Sequence, residues 1–451
     1  MTSMITEARP VRFSGPPPEA VDVVVIGAGV AGTATAYFLA EAGVRVLLCE
    51  KGRVAGEQSS RNWGWVRQQG RDWAELPIMM ESNRIWRGLA ERTGEADLVF
   101  TESGCLRLTD DPKVAAGYEA WRELSVQHQL ETRLLSADEV ARAYPAIAPP
   151  AGKRWLAGML TPSDGRAEPF VAIPALARAA ERAGAAVIEQ CAVRTLERSG
   201  GRIAGVVTEL GPVRAERVVL AGGAWSTHFA HNEGLALPQL AVRSTVARTE
   251  PAPEVYGPNL STPGLTLRRR ADGGYTITSG DLAEHFVGPN SVRWFFKYQP
   301  LLKKSARDVK LIPAAPRGYP GAWGTPRRWQ GTEVTPFERA RVLNPDPSPV
   351  VVRRIGERLA GRFPDLAGTR LAEAWAGMID VTPDAVPYIA EDHRLPGLFV
   401  ATGLSGHGFG IGPGVGRVLA DLVQGRPSGH DLTRFRTARF FDGSAIAPGP
   451  Y

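Results

Sequence analysis

The stretch VDVVVIGAGVAGTATAYFLAEAGVRVLLCEK, residues 21–51, decides the fold. Residues 21–26 are a short Val-rich run, the pattern of a strand buried on both faces. Gly27, Gly29 and Gly32 interrupt it. Residues 33–41 then read as an Ala-rich helix ended by Gly43, and residues 44–50 as a second buried strand. This β-turn-α-β unit of about thirty residues has the size of a right-handed crossover. In Gly-x-Gly-x-x-Gly between strand and helix, the first glycine allows the tight turn and the second lets backbone approach a pyrophosphate. The third lets the helix pack on the strand. Val30 and Ala31 then sit at a helix N-terminus whose N–H groups and dipole favour phosphate. Glu50 ends the second strand about twenty residues on, where a carboxylate accepts from ribose hydroxyls, with Lys51 beside it. The unit therefore predicts dinucleotide binding.

Working outward, 451 residues exceed one ordinary core and predict two domains. A 43% hydrophobic, 22% charged chain is a globular protein. The net charge of +6 is spread among acids, and even Arg268-Arg269-Arg270 is followed by Asp272. That argues against nucleic-acid binding while leaving attraction for an anionic substrate. Cys49, Cys105 and Cys191 fit neither a disulfide framework nor a metal site, so a reducing, cytoplasmic compartment is expected. Residues 23–40 carry no charge, but their glycines and strand-then-helix pattern argue against a transmembrane segment.

Nucleotide-type segments recur in the middle and at the end of the chain. The predicted fold class is α/β: a Rossmann-like cofactor domain interrupted by an α+β substrate domain on a mainly antiparallel sheet. The expected boundaries are a flexible tail at 1–20, a discontinuous cofactor domain at 21–75, 150–236 and 355–440, and a substrate domain at 76–149 and 237–354. Helices are expected over residues 174–182 and 414–424. Residues 294–347, aromatic and rich in Pro and Arg, receive no assignment.

Four further segments resemble the D-amino acid oxidase family, which includes glycine oxidase, sarcosine oxidase and D-amino acid dehydrogenases. The first is GEQSSRNWGWVRQQGR, residues 56–71. The second is Asp164-Gly165 with the strand around Val193, and the third is Ala221-Gly222-Gly223-Ala224-Trp225-Ser226. The fourth and most specific runs from Trp375-Ala376-Gly377 through Thr382-Pro383-Asp384 to Ala401-Thr402-Gly403-Leu404-Ser405-Gly406-His407-Gly408-Phe409. The resemblance implies FAD. It places Ser59, Ser60, Asn62, Gly64, Trp65 and Arg67 along the flavin, the backbone of Val193 at the adenine, and Ala221, Gly222 and Trp225 against the cofactor. Gly377, Gly403, Ser405, Gly406, His407, Gly408 and Phe409 would surround the flavin pyrimidine, where negative charge grows on reduction. Relatives that tether flavin use a C-terminal Cys or a His near the Ser-rich loop. Here no Cys follows Cys191 and the first His is His128, so FAD is expected to be non-covalent.

The resemblance implies oxidation of an amine or amino acid C–N bond, with O2 or an electron carrier as acceptor. A homo-oligomer is compatible with this. Arg67 is a candidate to favour the reduced flavin, Lys297 or Lys310 to activate oxygen, and His407 either a general base or a packed side chain. A substrate carboxylate calls for an Arg, with Arg243, Arg268, Arg269 and Arg293 as candidates. Trp65 and Tyr275 are further substrate-binding candidates, Tyr275 being equally compatible with the core. Rival readings are a dehydrogenase serving a quinone or carrier, a flavin subunit of a hetero-oligomeric oxidase, and a NAD-dependent dehydrogenase.

Overall fold

A computed structural model of the chain describes residues 4–306 and 308–449. Among these, the cofactor-domain sheet contains β1 (Val23–Ile26), β2 (Val46–Cys49), β3 (Ala186–Ile188), β4 (Arg217–Leu220), β5 (Tyr388–Glu391) and β6 (Leu398–Thr402). Their order is β5-β6-β4-β1-β2-β3, all parallel except β5. Strand β1 is central, so its four residues contact neighbours on both sides and read as a continuous apolar run. Helix α1 (Val30–Glu41) follows, buried at every residue from Val30 to Ala40. That explains its lack of any polar stripe.

Helices α2 (Glu75–Thr93), α3 (Pro169–Arg182) and α4 (Gly408–Val423) complete the layer on α1. Helix α4 starts six residues before the predicted 414, because glycines that read as loop serve close packing. A Cβ on Gly412 would lie 2.2 Å from Val30 Cγ2, and one on Gly416, already within the expected helix, 2.4 Å from Ala34 Cβ. Helix α3 likewise starts earlier than predicted and carries Pro174 within it.

The second sheet is mainly antiparallel, as expected, and its longest pairing joins Leu240–Thr249 to Leu371–Val381. Two boundary expectations differ. Ala157–Thr161 pairs with Cys105–Thr109 in this sheet, and Leu371–Val381 also belongs to it. Residues 4–20, expected to be a loose tail, instead pack: Ile5 and Phe13 are buried, and Arg12 N donates to Glu189 Oε2 at 2.7 Å. Residues 1–3 of that segment lie outside the described residues. Residues 289–312 form helices Pro289–Arg293 and Phe295–Ser305 and strand Val309–Ile312. No helix among the described residues is long and apolar enough to cross a membrane.

Candidate active site

A cavity runs from the ends of β1, β2 and β4 to the paired strands of the second sheet. Gly27, Gly29, Val30, Ala31, Glu50, Lys51, Ser59, Asn62, Val193, Ala221, Gly222 and Trp225 line one part of it. Trp65, Arg67, Gly377, Gly406, His407, Gly408 and Phe409 line the other. Gly32, Ser60, Gly64, Gly403 and Ser405 do not reach the cavity and act behind its wall. A Cβ on Gly32 would stand 2.0 Å from Gly27 O, so this glycine permits the turn and helix to touch. Gly27 itself has φ +98° and faces Ala221 O.

Three features fit FAD. Helix α1 has no side-chain cap at Gly29, and a Cβ at Gly29 would meet only Ser59 Oγ, at 3.2 Å. Val30 N, the first N–H of the helix, donates to Ser59 Oγ at 2.8 Å, so the turn sets a serine hydroxyl and the positive helix end side by side on the cavity wall, a setting suited to phosphate. Glu50 Oε2 accepts from Ala28 N at 2.9 Å and Oε1 from Gly52 N at 2.8 Å, fixing the carboxylate beside the loop. Burial pushes its carboxyl up to about 7. At the other end the buried Trp65 Nε1 has no hydrogen-bond partner among the described residues, a donor that a bound ligand would satisfy.

The two paired strands of the second sheet close the far end. Because strand side chains alternate, Ser244 and Val246 face the cavity together, as do Gly377 and Ile379 across the ladder. Asp380 orders the glycine-rich loop: its Oδ2 accepts from Gly403 N at 2.6 Å and Thr402 Oγ1 at 3.1 Å. His407 Nε2 lies 3.0 Å from Glu75 Oε1, and burial lowers the imidazole's proton affinity.

Arg67 and Arg71 also line this end. Burial, then repulsion from Arg71 and Arg107, pushes the Arg67 guanidinium down to about 9. Within the chain it donates to Gln69 O, and among the described residues no carboxylate forms an ion pair with it. The nearby Asp164 carboxylate instead accepts from Gln68 N and Gln69 N.

Several expected residues lie elsewhere. Arg243 occupies the opposite strand face from Ser244 and pairs with Glu284 at 2.6 Å. Arg268 is held bidentately by Glu168 at 2.7 and 2.9 Å, Arg269 donates to Ala252 O, and Arg293 contacts His231. Tyr275 is fully buried, its hydroxyl donating to Pro253 O at 3.0 Å, away from the cavity. Lys297 donates to Phe440 O and lies over the Phe441 ring, and Lys310 is exposed on an outer strand. The sequence reading missed Glu57, Asp380, Arg71 and Phe337 as cavity residues. Arg71 closes the 56–71 segment itself, and Asp380 follows Gly377 by three positions. Phe337 had no local signal.

Comparison with known proteins gives a consistent picture. The profile of the family DAO, described as FAD dependent oxidoreductase, matches residues 22–422. The solved structure of L-amino acid deaminase from Proteus myxofaciens in complex with anthranilate is 30% identical, with a TM-score of 0.89. The match covers 96% of this chain and 97% of that one. Glycine oxidase from Geobacillus kaustophilus is 28% identical over 93% of this chain and 97% of its own length. A 4-methylaminobutanoate oxidase (formaldehyde-forming) of Paenarthrobacter nicotinovorans is 26% identical over 94% of this chain, which spans 46% of that relative. The chain belongs to the DAO family of FAD-dependent oxidoreductases.

Proposed function

We propose that this chain oxidises the C–N bond of a bulky α-amino acid, holding the substrate carboxylate on Arg67. The observation that carries this reading is a half-buried guanidinium on the cavity wall, without a carboxylate partner among the described residues. A cation partly removed from water without an opposite charge is costly, and a planar guanidinium matches a carboxylate bidentately. Arg71 adds a second positive group on the same wall. The likeness to a deaminase solved with anthranilate, itself an amine carrying a carboxylate, supports an amino-acid substrate.

FAD, when bound non-covalently, supplies a two-electron acceptor for the substrate hydride. The residues of this chain then have four tasks. Arg67 orients the substrate through its carboxylate, so that the C–H bond is presented in one geometry. Val246, Ile379, Leu404 and Trp65 supply apolar walls that keep water from the reacting carbon. Asp380 holds the glycine-rich loop whose backbone donors would hold the flavin, and Glu75 fixes the ring of His407 on the same cavity wall. The oxidised product is an imine, which water hydrolyses to a keto acid and ammonia.

In the proposed cycle O2 would be the terminal electron acceptor. Delivery of electrons to a carrier is the second reading, favoured by one placement. Among the described residues, the lysine lining the cavity is Lys51, engaged with Glu57 at the nucleotide end. Turnover of an apolar amino acid, followed in parallel by peroxide release and by dye reduction, tests both statements. Amino-acid turnover with peroxide supports the oxidase, and turnover with dye alone the carrier. Equal turnover of the amino acid and of its decarboxylated amine would remove the carboxylate anchor.

A further inference from the structure

The segment that the sequence left unassigned reaches the cavity at one point. Among the described residues of 294–347, only Phe337 lines it. Thr335 caps the short helix Pro336–Arg339, with Thr335 N donating to Glu338 Oε2 at 2.8 Å, and this fixes the direction of Phe337. The ring is buried against Trp225, Phe229 and Trp329, with centroids 5.8, 6.1 and 5.2 Å away. Trp225 and Phe229 line the same part of the cavity, together with Ala192, Val193, Cys49 and Cys191. These residues make an apolar compartment beyond the Glu50 carboxylate.

The strap that carries Phe337 is tied to both walls of that compartment. On one wall, Glu338 takes the Arg194 guanidinium, whose Nε lies 3.2 Å from both carboxylate oxygens, and Trp329 Nε1 donates to Arg194 O at 2.7 Å. Arg194 directly follows Val193. On the other wall, Arg341 Nη1 donates to Lys51 O at 3.0 Å, Lys51 Nζ returns a bond to Arg341 O at 3.0 Å, and Leu343 N donates to Glu57 Oε1 at 3.1 Å. The strap lies so close that a Cβ on Gly52 would fall 1.9 Å from Arg341 O. A segment of the interrupting region thus closes the nucleotide end and places one aromatic ring inside it.

We propose that Phe337 forms a wall of the adenine subsite, so that cofactor retention depends on residues 329–343, outside the nucleotide-binding core. This inference rests on the FAD reading of the cavity. A flat aromatic ring in an apolar compartment suits a purine base, whose π-face offers sequence-independent contact area. The strap then holds FAD through its adenosine half and leaves the flavin half untouched.

The test uses the full chain as holoenzyme. FAD release on dilution is followed by the rise of free-flavin fluorescence, and rebinding of FAD to the resulting apoprotein is titrated with ADP as competitor. Phe337→Ala is expected to weaken both FAD and ADP by roughly tenfold, the scale of one lost base–aromatic contact. Val334→Ala, at an exposed position of the same strap, is expected to change neither. Phe337→Leu keeps apolar volume and is expected to fold with an intermediate loss, which preserves the test if the Ala variant misfolds. Unchanged ADP affinity in a folded Phe337 variant would overturn the proposal. A wild-type protein that binds neither FAD nor ADP would instead overturn the cofactor reading beneath it.

Discussion

Replacing Arg67 by Met gives opposite effects on stability and on binding. Burial and two neighbouring guanidinium groups push Arg67 down to about 9, so its charge is held at a cost in the ligand-free fold. The side chain is partly open to the cavity, which discounts that cost to on the order of 1–2 kcal/mol. A methionine side chain at this position would retain much of the stem's packing without the charge. The apoprotein is therefore expected to melt at an equal or higher temperature. Substrate binding moves the other way, because a charge-assisted pair in a water-poor cavity contributes about 2–4 kcal/mol. At about 1.4 kcal/mol per tenfold, Arg67→Met should weaken amino-acid binding by roughly 30- to 700-fold. The assay is anaerobic reduction of the bound flavin across substrate concentration, run with an amino acid and with its decarboxylated amine. Only the amino acid should show the loss. An equal loss for both compounds, or a large fall in melting temperature, would refute the anchoring role.

Three further outcomes follow from the same geometry. FAD affinity should rise with pH up to about 7 and then level off, because ribose hydroxyls require the ionised Glu50 that burial holds at about 7. In the ligand-free fold the sign is reversed: this raised carboxyl favours folding at low pH, and that stability fades as pH climbs through about 7. Glu50→Gln should flatten both profiles, read by flavin titration and thermal melting. Gly32→Ala forces a Cβ to within 2.0 Å of Gly27 O and should cost about 2–3 kcal/mol, seen as a lower melting temperature and a lower flavin-to-protein ratio. Cys49 and Cys191, with sulfurs 3.7 Å apart, both line the cavity, whereas Cys105 does not. Flavin removal should speed maleimide labelling of the first pair by roughly fivefold or more and leave Cys105 unreactive.

The nucleotide half was legible because its signals are local. Residues 21–51 carry periodicity, glycine spacing and a terminal carboxylate within one crossover, and the structure builds β1, α1 and β2 from them. The glycines of 408–413 were misread as loop since their reason lies in a partner: Gly412 makes room for Val30, far away in sequence. Arg243 shows the limit of reading a strand residue type alone. Its neighbours Ser244 and Val246 face the cavity, so alternation turns Arg243 to the other face, toward Glu284. Phe337 was hidden for a third reason. Its placement depends on ties such as Arg194–Glu338 and Arg341–Glu209, each joining residues more than a hundred positions apart. No local pattern encodes such pairings.

Anaerobic addition of an apolar α-amino acid to the purified holoenzyme, with the visible flavin spectrum recorded throughout, tests the central claim most directly. The expected result is a flavin that stays in the supernatant after acid precipitation, bleaching by the amino acid, and formation of the matching keto acid and ammonia. A protein without flavin, or a flavin left fully oxidised by every amine and amino acid offered, would contradict it.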